Sequence, residues 1–219
     1  ICEKVLTVIK HKDAEVVEIN KVEKKSPAPQ LYDLTGLQRD ANKIFGFSAK
    51  ETLSIMQRLY ETHKLLTYPR TDSRYISSDL VDTLNDRLKA CGVGPYAGLA
   101  GKIVKYPVKV TKMFVDNSKV SDHHAIIPTE QPLVLNSLND KERKVYDLVV
   151  RRFIAVLYPV FEYEQVTIKA QIGSELFVAK GKTVRAQGWK EVYGNSFNDE
   201  EGDDDVGAQN LPVINKGDM

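Results

Sequence analysis

Cysteine is scarce in this chain. Cys2 and Cys91 are the only two among 219 residues. They lie far apart and match no metal-ligand spacing, a usage that fits a reducing compartment. Long hydrophobic runs are missing as well. None approaches the roughly 20 residues of a membrane span, and no signal-peptide pattern is present, so no membrane role is expected. Charge of one sign is lacking too. Thirty-one basic and 30 acidic residues leave a net charge of +1, so bulk charge advertises no polyanion partner. Any nucleic-acid surface has to come from local clustering. Internal repeats are absent. The chain begins without Met, in a strand-like stretch, and stops at Asp218-Met219 without a closing element, which reads as an excised piece of a longer protein. Its length still suffices for a proper core in one or two domains.

Against these absences stands Leu65-Leu66-Thr67-Tyr68-Pro69-Arg70-Thr71-Asp72-Ser73-Arg74-Tyr75. Two leucines would bury a short extended segment before the chain turns abruptly polar. Pro69 fixes its own φ and pushes Tyr68 toward extended or turn geometry, so the phenol is presented on a stiff turn. Arg70 lies two residues on and would point to the same side of an extended backbone. A phenol beside a guanidinium suits phosphoryl chemistry. Free tyrosine titrates near pH 10; a fixed cation favours the phenolate, and a guanidinium can clamp a phosphate through two hydrogen bonds. Taken alone, the pair also fits a loop aromatic next to an ordinary surface cation.

Along the chain, residues 1–23 read as strands, with Val5, Thr7 and Ile9 alternating with Leu6 and Val8. Lys24-Lys25-Ser26-Pro27-Ala28-Pro29 is a stiff linker. Thr35 is the expected N-cap of a helix to about Ile44, closed by Gly46. Ser48-Ala49-Lys50-Glu51 forms a capping box opening a helix whose apolar stripe is Leu53, Met56, Leu59 and Tyr60. Ser77 or Ser78 caps a helix ending at Cys91-Gly92, and residues 92–121 read as loop-rich. Asn139 to Glu142 starts a long helix burying Val145, Leu148, Val149, Val156 and Leu157. From Glu162 the period becomes two, with Val166, Ile168 and Ala170 on one face. Strands continue through Leu176-Phe177-Val178 to Trp189 and Val192, and 199–205 is an acidic, solvated loop. The expected class is α+β: a helical domain (28–163) inserted into an antiparallel β domain whose halves are 1–27 and 164–219.

The second candidate constellation is Ser121-Asp122-His123-His124-Ala125-Ile126-Ile127-Pro128-Thr129. Adjacent histidines point to different sides of an extended segment, so both are not expected to serve one site. Zinc is disfavoured, because no cysteine or further histidine stands at a ligand spacing. Read by itself, His123 equally fits a hydrogen-bonded structural histidine.

Thr67-Tyr68-Pro69-Arg70-Thr71-Asp72-Ser73 closely resembles the active-site signature of type IA DNA topoisomerases, its proline form that of the topoisomerase III branch. Residues 121–129 resemble that branch's Ala-His-His-Ala-Ile-Ile-Pro-Thr motif, with Asp122 where alanine is common. Thr35–Asn42, Met56–Glu61, Leu211-Pro212 and Lys216–Asp218 resemble further elements of the family, so the likeness spans essentially the whole chain. It implies that Tyr68 is the catalytic tyrosine, Arg70 the catalytic arginine and His123 the active-site histidine. It also implies the family's gate, a helical tyrosine domain hinged in a β arch, with hinges near 24–30 and 158–163. The family's Toprim domain, whose glutamate and Asp-x-Asp carboxylates transfer protons and hold Mg²⁺, has no counterpart here. No metal site is therefore expected in this chain, and Asp203-Asp204-Asp205 is a poor substitute. The implied whole enzyme cleaves and religates single-stranded DNA through a 5′-phosphotyrosine without ATP, relaxing or decatenating DNA. It would be bacterial, cytoplasmic and nucleoid-associated, and would work with the rest of its own polypeptide, with a helicase partner left open. Arg74, Lys64 and Arg58 are candidate phosphate contacts. The competing reading is a non-catalytic helical module that binds DNA or protein. Recombinases and relaxases require arginine-histidine sets or a histidine metal triad that this sequence lacks.

Overall fold

The computed structural model describes residues 2–10, 12–105, 108–194 and 214–218, with side chains from position 5 onward. Its elements are α1 (Cys2–Ile9), β1 (Glu15–Ser26), α2 (Leu34–Phe45), α3 (Ala49–Glu61), α4 (Leu84–Cys91), α5 (Ala97–Val104), α6 (Asp140–Leu157), β2 (Phe161–Ile172) and β3 (Glu175–Ala186), with short 3-10 turns between. The class is α+β. Two units emerge. One holds the residues up to Ser26, Val160–Gly188 and the described 214–218; the other holds Pro27–Pro159 and the described residues from Trp189 to 194.

In the first unit three 12-residue strands form an antiparallel sheet in the order β1-β2-β3. Gly173, in the left-handed region at φ 63°, makes the tight β2–β3 turn. A register shift between Val16 and Glu18 bulges β1, and Val16 there exchanges backbone hydrogen bonds with Gly217 and Asp218. Ile168 is buried, as its alternation requires, while Val166 and Ala170 are half-buried.

In the second unit the caps decide the helices. Gly46 ends α2 in the left-handed region. Asp33, not Thr35, caps its start, its carboxylate accepting from the Gly36 N–H at 2.6 Å. Both residue types cap well, and the carboxylate wins here because Arg74 also binds it. The Ser48 hydroxyl accepts from the Glu51 N–H at 3.1 Å. Asn139 and Glu142 form a full reciprocal capping box, which launches α6. That helix buries Val145, Tyr146, Leu148, Val149, Val150, Phe153, Ile154, Ala155 and Leu157. At about 1.5–3 kcal/mol for each large apolar side chain, this face is a main source of the unit's stability. Val156 is only half-buried.

Four further expectations are corrected. Residues 2–9 are helical: Val5, Leu6 and Ile9 fit a helical face as well as the β-branched alternation fits a strand. Ser77 flanks a 3-10 turn (Ser78–Thr83) with no side-chain cap, and α4 starts only at Leu84. Inside 92–121 lies α5, whose Gly98 and Gly101 resemble breakers in the sequence. Strand structure stops at Ala186. Gly188, at φ 49°, turns the chain into a 3-10 helix that buries Trp189, whose N–H donates to the Pro159 carbonyl at 2.9 Å. The acidic run 199–205 lies outside the described residues.

Candidate active site

The two constellations meet. Thr67 donates its N–H to the Ile127 carbonyl at 3.0 Å, and Leu66 faces Pro128 in an antiparallel bridge. The Thr129 N–H donates to the Leu65 carbonyl at 3.0 Å, and the Ala125 N–H to that of Tyr75 at 2.8 Å. Across this ladder the Thr67 hydroxyl donates to the Ala125 carbonyl at 3.2 Å and accepts from the Ile127 N–H at 3.0 Å. The Thr71 hydroxyl donates to the His123 carbonyl at 3.0 Å. Sixty residues of separation thus collapse into one layer, with Leu65, Leu66, Ala125, Ile126 and Ile127 buried beneath it.

Tyr68 stands at the edge of that layer, half-buried. Its ring packs against His123 at 4.3 Å between centroids, tilted 40°, and edge-on against Tyr60 at 5.5 Å. No hydrogen-bond partner holds the Tyr68 hydroxyl or the His123 ring nitrogens among the described residues. Arg70 is exposed and likewise carries no ion pair there. A phenol, an imidazole and a guanidinium without a hydrogen-bonding or ionic partner among the described residues are groups that a phosphate could engage. His124 turns the other way, its Nδ1 donating to the Ala125 carbonyl at 2.7 Å, and burial pushes its imidazole below the ordinary range. The adjacent imidazoles thus have different neighbours, as expected of consecutive residues in an extended segment.

Tyr60 was expected in the core stripe of α3. Met56 and Leu59 of that stripe are buried, with Thr52 and Ile55 beside them, while Leu53 and Tyr60 are half-buried and Tyr60 turns to Tyr68. Lys64 is exposed with its ammonium 5.8 Å from the centre of the Tyr60 ring; its backbone is left-handed at φ 58°, and its carbonyl accepts from the Thr129 hydroxyl. Arg58 and Arg74 each spend Nε on a buried carboxylate. Arg74 binds Asp33 at 2.9 Å, and Arg58 binds Glu142 at 2.8 Å. Arg87 lies almost fully buried under the layer, donating to the Pro128 carbonyl at 2.8 Å and pairing with Glu130 at 2.7 Å. Spacing rules flag neither Tyr60, Thr67 nor Arg87. The available signal was only that Thr67 and Thr71 place β-branched hydroxyls on both sides of the phenol.

Glu142 titrates in a telling way. Burial alone would raise its carboxyl, but the Asn139 N–H, the Arg58 guanidinium and His63 outweigh that and hold it below the ordinary value. A carboxyl depressed on folding contributes stability above its unfolded pKa of about 4.3 and loses it as pH falls through the lower folded value. Urea midpoints should therefore fall on acidification below about pH 4.5 more steeply in the wild type than in Glu142→Gln.

Among the described residues no cluster of three or more His, Cys, Asp or Glu side chains can hold a metal ion. No helix among them is long and apolar enough to cross a membrane.

Comparison with known proteins identifies the family. Residues 2–219 match the family model described as DNA topoisomerase. The chain is 63% identical over 219 residues to DNA topoisomerase 3 of Bacillus thuringiensis (strain Al Hakam), covering 99% of this chain and 30% of the relative. To DNA topoisomerase 3 of Bacillus subtilis (strain 168) it is 59% identical over 218 residues, covering 100% of this chain and again 30% of the relative. The structure of full-length topoisomerase I from Thermotoga maritima superposes with a TM-score of 0.68 at 22% identity, covering all of this chain and 34% of that one. At that identity it supports the fold alone. The chain thus spans about a third of the length of the proteins it matches, and it belongs to the type IA DNA topoisomerase family.

Proposed function

We propose that this chain is the nucleophile-bearing gate of an enzyme that cuts and rejoins single-stranded DNA. One observation carries the proposal: Tyr68 and His123 are held ring against ring while the phenol oxygen and the imidazole nitrogens hydrogen-bond to nothing among the described residues. The Tyr68 oxygen would give up its proton to a base or to water and attack a backbone phosphorus, forming a phosphotyrosine ester on the 5′ side. The bond from phosphorus to the 3′ oxygen breaks, and that oxygen leaves as a hydroxyl after taking up a proton. One phosphodiester replaces another, so no nucleotide cofactor is required. Arg70 would stabilise charge on the phosphate oxygens, and His123 would donate a hydrogen bond to them. Mg²⁺ and the proton-transferring carboxylate would come from parts of the enzyme outside this chain.

Lys64 is the most available backbone-phosphate contact of the three cations singled out above. Arg58 and Arg74 would have to serve with the outer edges of guanidinia already anchored to carboxylates. Passage of a second strand would require the helical unit to swing. Its covalent joints among the described residues, at Ser26–Pro27, Pro159–Val160 and Gly188–Trp189, are the proposed hinges.

The test is a chimera in which this chain replaces the matching segment of the B. subtilis relative. An adduct that carries the oligonucleotide's 3′-end label, survives denaturation and depends on Tyr68 supports the proposal. DNA binding with no adduct would instead establish a non-catalytic module. In the same chimera Arg70→Ala is expected to slow single-turnover cleavage by about 10²–10³-fold, the usual scale for a lost charge-stabilising donor, with affinity nearly unchanged. Equal losses in both would make Arg70 a docking residue.

A further inference from the structure

We infer that Thr67 and Thr71 are positioning residues for strand cleavage, setting the placement of Tyr68 against His123 through one hydroxyl on each side of the phenol. The inference rests on Tyr68 being the nucleophile. Between the two threonines, Tyr68, Pro69 and Arg70 make no hydrogen bond to the described residues. Hydrogen bonds therefore fix the tripeptide only at its two ends, while packing holds the buried Pro69 and the Tyr68 ring.

Both ends are tied to the histidine segment. Thr67 supplies three bonds there: its N–H to the Ile127 carbonyl, its hydroxyl to the Ala125 carbonyl, and the Ile127 N–H back to that hydroxyl. Thr71 binds the carbonyl of His123 itself, while its oxygen accepts from the Ser73 N–H at 3.1 Å. Its own carbonyl is fixed by the Leu34 N–H at 3.0 Å. Each hydroxyl thus already donates once and accepts once within the protein, so neither is positioned to serve substrate. Their effect on chemistry runs through the 4.3 Å contact between Tyr68 and His123. Misplacement of a reacting group by about 1 Å can cost about 100-fold in rate. Valine keeps the shape of threonine and removes only the hydroxyl.

The experiment uses the chimera defined above. Thr67→Val with Thr71→Val is expected to slow single-turnover cleavage by ~10–100-fold, while affinity for a single-stranded oligonucleotide changes less than about twofold. Serine at both positions restores the rate to within about threefold, because it returns the hydroxyls. The decisive measurement is a double-mutant cycle with His123→Ala. If the threonines act by placing His123, Thr71→Val costs less than about threefold once that imidazole is gone. A full, independent loss in the His123→Ala background, or wild-type cleavage by the valine variant, overturns the inference. Should the double variant not fold, Thr71→Val and Thr71→Ser alone carry the same cycle. An adduct that persists in Tyr68→Phe would overturn the nucleophile assignment instead, so the two failures are distinguishable.

Discussion

Tyr68→Phe is expected to abolish the denaturation-resistant DNA adduct while leaving single-stranded DNA affinity within about threefold of wild type, since one neutral hydroxyl contributes about 0.5–1.5 kcal/mol at most. Phenylalanine retains the ring that packs on His123 and Tyr60, so the layer around it should keep its geometry. What disappears is the atom proposed to form the ester. Neighbouring phenols are poorly placed to replace it. Tyr75 already shares its hydroxyl with Gln30 at 2.6 Å and with the Lys119 ammonium at 3.1 Å. Tyr60 meets Tyr68 edge-on, and its ring faces Lys64. Residual adduct in the variant, mapped by peptide mass, would remove Tyr68 from its role and name the residue that holds it.

The largest stability effect is expected at Arg152. Its guanidinium is 15% exposed and gathers four groups of the helical unit. It donates to the Gln30 carbonyl at 3.1 Å, the Tyr32 hydroxyl at 2.9 Å, the Asp40 carboxylate at 2.9 Å and the Tyr193 hydroxyl at 3.1 Å. Its face also covers the Tyr32 ring, 4.1 Å from the centroid. Burial pushes the Tyr32 phenol well above its ordinary range, so that hydroxyl stays protonated and donates to Asp40. Arg152→Ala would leave the Asp40 carboxylate with the Tyr32 hydroxyl but without its cation. Truncating one member of a buried ion pair costs about 3–5 kcal/mol, and the lower end applies because Asp40 remains a quarter exposed. Urea denaturation should show that loss. Asp40→Leu added to Arg152→Met should recover part of it, because the uncompensated charge is then gone. No recovery would mean that the Gln30 and Tyr193 contacts, rather than the ion pair, carry the energy.

Much of the architecture is legible from local chemistry. Gly46, Ser48 and the Asn139–Glu142 box announce helix ends because caps depend on residues within one turn. The β2–β3 hairpin is legible through its period of two. Other features depend on distant neighbours. Asp33 rather than Thr35 caps α2 because Arg74, 41 residues on, binds the same carboxylate. The short run at 2–9 satisfies both periods, and local pattern cannot arbitrate between them. At the site, Tyr68, Arg70 and His123 are readable as motifs, but their supports are not. Thr67 meets Ala125 across 58 residues, and Arg87 meets Pro128 across 41. Arg58 and Arg74 look like free surface cations until their buried carboxylate partners are seen.

Trp189 has a practical consequence. It is the one tryptophan of the chain, 4% exposed, in the segment that returns to the helical unit after β3, and edge-on to Tyr193. Its emission is therefore a native optical gauge of that unit alone. Selective excitation would follow the helices melting while the sheet stays dark, so the two units can be timed separately without attaching any dye.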